Sequence, residues 1–76
     1  MGAPKRLRRL KRAARRGQPY ALYALGRAYE AGRFVREDHE RAAVLMEAAA
    51  ALGYAPAVAW CEAESFDDNA AVQAES

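Results

Sequence analysis

The chain has 76 residues, 12 Lys/Arg against 10 Asp/Glu and a single cysteine, Cys61, so it holds one small domain and no intrachain disulfide supports it. Twenty of its forty hydrophobic residues are alanine, with four valines and no isoleucine, which favours closely packed helices over strands. The charge is lopsided: residues 1–16 carry eight Lys/Arg and no acid, while the remainder carries four Arg against ten Asp/Glu. No apolar run is long enough to span a bilayer, and the basic opening is followed by no signal-peptide core. The expected setting is cytoplasmic, without membrane contact.

Glycine and proline divide the chain into four expected helices. The first, 5–16, ends at Gly17 and sets a narrow stripe of Leu7, Leu10, Ala13 and Ala14 against Lys5, Arg6, Arg8, Arg9, Lys11, Arg12, Arg15 and Arg16. The second, 19–31, opens on Pro19, which suits a first turn, and stops at Gly32; Gly26 alone falls inside a helix. The third, 38–52, has Asp38 as N-cap and ends at Gly53. The fourth, 56–65, opens on Pro56 and leads into an acidic, polar tail, 67–76.

An internal repeat underlies this punctuation. "AARRGQPYAL" from Ala13 aligns without gaps with "AAALGYAPAV" from Ala49, at a spacing of 36 residues. The first helix thus corresponds to the third and the second to the fourth: one whole repeat flanked by two halves. The pattern Ala21, Leu25-Gly26, Tyr29, Gly32, Val35, Asp38, Ala42, Ala49-Ala50, Gly53 resembles the Sel1-like repeat, a relative of the tetratricopeptide repeat. The resemblance covers one complete unit, about Pro19 to Tyr54. It implies an all-α fold, a short right-handed α/α solenoid of about four antiparallel helices. A repeat domain would then occupy 1–66, with basic helix 5–16, repeat 19–53 and capping helix 56–65. The chain departs from the pattern at Phe34, where a second loop glycine is usual, at Leu45, which replaces a large aromatic, and in the last half-repeat, where Cys61-Glu62 and Ser65 replace Leu-Gly and Tyr. Such degeneracy is typical of a terminal repeat.

No catalytic constellation is visible. His39 reads as an exposed first-turn residue, and Cys61 as a small buried hydrophobe beside Val58. Glu62, Glu64, Asp67 and Asp68 lack the glycine turn and spacing of a calcium loop and read as a solvated acidic stretch. No cofactor is expected.

Two surfaces are candidates for binding. The resemblance implies that the helix at 19–31 lines the concave side, leaving Tyr20, Tyr23, Arg27 and Glu30 facing outward once Ala21, Leu25, Ala28 and Tyr29 turn in; Phe34 stands beside them in the loop. Tyr23 has the alternative of packing against the second helix of the repeat, 38–52, and Trp60 either extends this surface or closes it. The basic helix offers three readings: a solvated face offsetting the acidic tail, a polyanion contact made by arginine forks, or a dock for an acidic protein. The function that follows is a non-enzymatic protein-protein interaction adaptor or scaffold. The alternative is a small nucleic-acid or ribonucleoprotein binder, such as a mobile-element-encoded inhibitor or accessory subunit. Because both ends of so short a repeat expose stacking faces, self-association or permanent docking on a larger assembly is expected.

Overall fold

The computed structural model describes residues 5–63, which are helical apart from their connections. Helix α1 spans Lys5–Arg15, α2 Pro19–Ala31 and α3 His39–Ala51; residues 55–63 form a fourth helical segment, α4. Each boundary lies within a residue or so of expectation. α1 stops at Arg15, and Asp38 and Leu52 are caps of α3 rather than members of it. α4 begins at Ala55, so Pro56 is its second residue, whose missing N–H is also one that a helix start leaves unpaired. The part of the capping helix beyond 63 and the tail 67–76 lie outside the described residues.

Two of the connections are copies of one another. Gly17 and Gly53 adopt φ values of +80° and +82°, a region that only glycine enters without steric cost. Gly17 N–H donates to Ala14 O and Gln18 N–H to Ala13 O, at 2.9 and 3.1 Å; Gly53 N–H donates to Ala50 O and Tyr54 N–H to Ala49 O, at 2.9 and 3.2 Å. Both pairs form the crossed hydrogen bonds of a Schellman cap. The next helix then starts identically. Gln18 O accepts from Ala21 and Leu22 N–H, as Tyr54 O accepts from Ala57 and Val58 N–H. The sequence repeat is therefore a repeat of hydrogen bonding.

The third connection is longer and carries the strain. Ala28 O accepts from the N–H groups of both Gly32 and Arg33, turning the chain out of α2. Asp38 N–H reaches back to Tyr29 O at 2.9 Å, while its Oδ1 accepts from Arg41 N–H at 3.0 Å and caps α3. Between them Phe34 sits at φ +62° with 69% of its surface exposed. A left-handed conformation costs a non-glycine residue roughly 1–2 kcal/mol, and burial returns little of that here. A glycine at this position would adopt the same conformation without that cost.

The core lies between α2 and α3. Ala21, Leu22, Leu25 and Gly26 face Ala42, Met46 and Ala49, with Met46 wholly enclosed. A Cβ at Gly26 would lie 3.3 Å from Ala42 O, Leu45 Cβ and Met46 Cε, a tight fit that would press these neighbours back by a few tenths of an ångström, so the glycine favours the close approach of α2 and α3. Ala57 of α4 completes a cluster with Leu22 and Ala49, flanked by Ala14, Tyr23, Leu45 and Tyr54. α1 rests on α2 through Leu7, 3% exposed, with Leu10, Ala13 and Ala14 half-buried. That is the narrow stripe expected of it.

Candidate protein-binding groove

The outward face of α2 becomes a linked row of side chains because Tyr23, Arg27 and Glu30 recur at helical spacing. The Tyr23 ring packs on that of Tyr54 at 5.5 Å between centroids, tilted by 52°. Arg27 Nη1 donates to the Tyr23 hydroxyl at 2.9 Å, and its guanidinium carbon lies 5.8 Å from the same ring's centroid. Arg27 Nε then meets Glu30 Oε1 at 3.5 Å, and Trp60 Nε1–H donates to Glu30 Oε2 at 2.8 Å. This last bond joins α2 to α4 and is partly buried, where a hydrogen bond to a charged acceptor is worth more than at an exposed site. Tyr23 both packs on Tyr54, in the connection that follows α3, and lines the outward face of α2. Trp60 meets the α2 row and braces it.

Beside this row an open groove of about 480 Å³ runs between α1 and α2. Leu7, Leu10, Ala24, Ala28 and Ala31 give it its apolar lining. Arg6, Arg27 and Arg33 bring three guanidinium groups to its margin, and Phe34 stands at one end. Glu30 is the one acid on its wall, and both its carboxylate oxygens are occupied by Arg27 and Trp60. Tyr23, Arg27, Glu30 and Phe34 are thus brought together. Tyr20 is 52% exposed but does not line the groove.

The basic residues of α1 divide among surfaces. Lys5, Arg6, Arg8, Arg9, Arg12, Arg15 and Arg16 are exposed and Lys11 is half-buried. Among the described residues, neither ion pair involves any of them. Arg6 turns to the groove just described. Lys11 and Arg15, with Arg41, border a second depression of about 430 Å³, also lined by Leu22, Leu25, Val44 and Leu45. Arg41 Nη1 donates to the Tyr29 hydroxyl at 3.3 Å, with its guanidinium 5.3 Å from that ring's centroid. That hydrogen bond is the main cause of a further rise in the already high Arg41 pKa. Neither Arg33 nor Arg41 stands out in the sequence. Their only signals are position, immediately after a helix-ending glycine and in a capped first turn.

His39 Nε2 and Glu37 Oε2 are 2.7 Å apart on the exposed loop side of α3. Cys61 is half-buried rather than buried and lines, with Val58, an open depression between α3 and α4. Among the described residues no group of three His, Cys, Asp or Glu could hold a metal ion, and no helix is long and apolar enough to cross a membrane. Glu64, Asp67 and Asp68 lie outside the described residues. Comparison with protein-family models, curated proteins and solved structures finds no match for this chain.

Proposed function

We propose that this chain is a non-enzymatic protein-interaction module, a minimal Sel1-like α/α solenoid that receives a partner in the α1/α2 groove. The order of contacts supports the solenoid reading. Tyr29 meets Asp38 and Arg41, Gly26 meets Ala42 and Met46, and Leu22 meets Ala49, a sequence that antiparallel helices produce. Tyr23 meets Tyr54 and Glu30 meets Trp60, start with start and end with end, as the first helices of successive repeats would.

The observation that carries the binding role is that Tyr23, Arg27 and Glu30, braced from behind by Tyr54 and Trp60, line a largely apolar groove together with Arg6 and Arg33. Side chains already held by one another lose little freedom on association, and tyrosine, tryptophan and arginine are the types that dominate interface energetics. Exposing Phe34 in a strained backbone conformation is a cost that a binding contact would explain. The partner segment that fits is apolar with flanking carboxylates. Selection from a displayed random-peptide library should enrich aromatic or aliphatic sequences bordered by Asp/Glu, and Arg33→Glu and Phe34→Ala should each abolish that enrichment. Enrichment that survives both variants counts against the groove.

A second reading is favoured by the convergence of Lys11, Arg15 and Arg41 on the other depression: polyanion binding through the basic helix. Titration of mixed-sequence single-stranded RNA and duplex DNA across salt concentrations tests it. Several neutralised phosphates would give a steep fall of log affinity with log salt. Absence of binding at moderate salt returns these residues to solvated charge.

A further inference from the structure

Resting on the repeat reading above, we infer that the occupant of the α1/α2 groove is α4 of a second copy of this chain. The contact between α2 and α3 is the template. At the spacing of 36 residues, α4 corresponds to α2 and α1 to α3, and the identical turns at Gly17 and Gly53 show that the correspondence holds for the backbone. Every α2 in a stacked array has an α3 equivalent packed on it. Among the described residues α4 has no such neighbour, and α1, which corresponds to α3, has no helix in the place that α2 takes on α3.

Both vacant positions are visible as concavities. Next to α4 lies a shallow depression of about 440 Å³, floored by Ala50, Ala51, Val58 and Cys61 and edged by Glu47 and Glu62. Next to α1 lies the groove lined by Leu7, Leu10, Ala24 and Ala28. One is edged by carboxylates and the other by guanidinium groups, so each complements the other and neither complements itself. Carried across the repeat, the template sets Val58 and Cys61, the counterparts of Leu22 and Leu25, against Leu10 and Ala13, the counterparts of Met46 and Ala49.

The charged positions decide the choice of partner. Gly26 meets Ala42, Leu45 and Met46 in the template; its counterpart Glu62 would meet Arg6, Arg9 and Leu10. A glutamate there forbids the close approach that Gly26 permits, yet it stands opposite two arginines that have replaced an alanine and a leucine. The departure from the repeat on one side is thus answered by a departure on the other. Arg6, Arg9 and Glu62 are all exposed in the single chain, and no described ion pair uses them. Because each copy carries both halves of this heterologous contact, assembly either continues or closes into a ring.

Sedimentation equilibrium of the full chain, from micromolar to millimolar concentration and at low and high salt, tests this. Expected are masses above the monomer that fall as salt screens the contact. Arg9→Glu and Glu62→Arg should each weaken association by roughly tenfold or more, because each places like charges opposite one another. An equimolar mixture of the two variants should recover it. Arg6→Glu on the same flank gives a second test should Arg9→Glu disturb α1, with circular dichroism confirming that each variant folds. A wild-type chain that stays monomeric, association indifferent to these reversals, or a mixture that does not recover, overturns the inference. A monomer that still selects peptides through its groove overturns the assembly alone, and one that selects none overturns the groove reading with it.

Discussion

α2 makes two contacts that differ in kind. Against α3 it presents alanine, leucine and glycine to a fully enclosed Met46, at a separation set by Gly26. Against α1 it meets one buried leucine, three half-buried apolar residues and a surround of cations. Like charges on α1 repel one another and gain no described counter-ion, so its docking depends on the leucine stripe. A small domain can therefore keep a stable centre and an outer helix that is held more weakly, with the proposed binding groove at the weaker junction. Elements that open or accept partners are drawn from the low-stability end of a structure.

The largest expected effect is at the stronger contact. Met46→Ala would empty a site with no exposure and should cost about 2–5 kcal/mol, enough to unfold much of so small a domain at ambient temperature. Chemical denaturation read by circular dichroism measures it; a loss below that range would mean the α2/α3 interior relaxes into the space.

Leu7→Ala sharpens the contrast, since its effect should be local. Amides of α1 should lose hydrogen-exchange protection while those of α2 and α3 keep theirs. Uniform loss of protection across all three helices would show that the two contacts unfold as one unit.

Phe34→Gly is the smallest and has the opposite sign. Relief of the left-handed strain, roughly 1–2 kcal/mol, is offset by the greater freedom of glycine in the unfolded chain, about 0.4–1 kcal/mol. The net expectation is a slight rise in Tm, with loss of whatever Phe34 contacts in a partner. A fall in Tm would mean that Phe34 supports the loop as well as exposing itself.

The helices and their limits were legible from the sequence because their signals are local. A glycine able to turn left-handed, a proline with no N–H to lose and an aspartate three residues before an unpaired amide act on their immediate neighbours, and Gly17, Pro19, Gly32, Asp38 and Gly53 do what such residues do anywhere. The repeat was legible for the same reason, since equal spacing of equal signals builds equal turns. Of the candidate site, Tyr23, Arg27, Glu30 and Phe34 were identifiable as an outward set. Tertiary structure alone decided that Tyr23 leans on Tyr54, that Trp60 binds Glu30, that Tyr20 stands apart, and that Arg6 and Arg33 share a margin with Arg27. Those outcomes depend on which helix lies beside which face and at what distance, and a distance between residues 30 apart in sequence is set by the packing of everything between them.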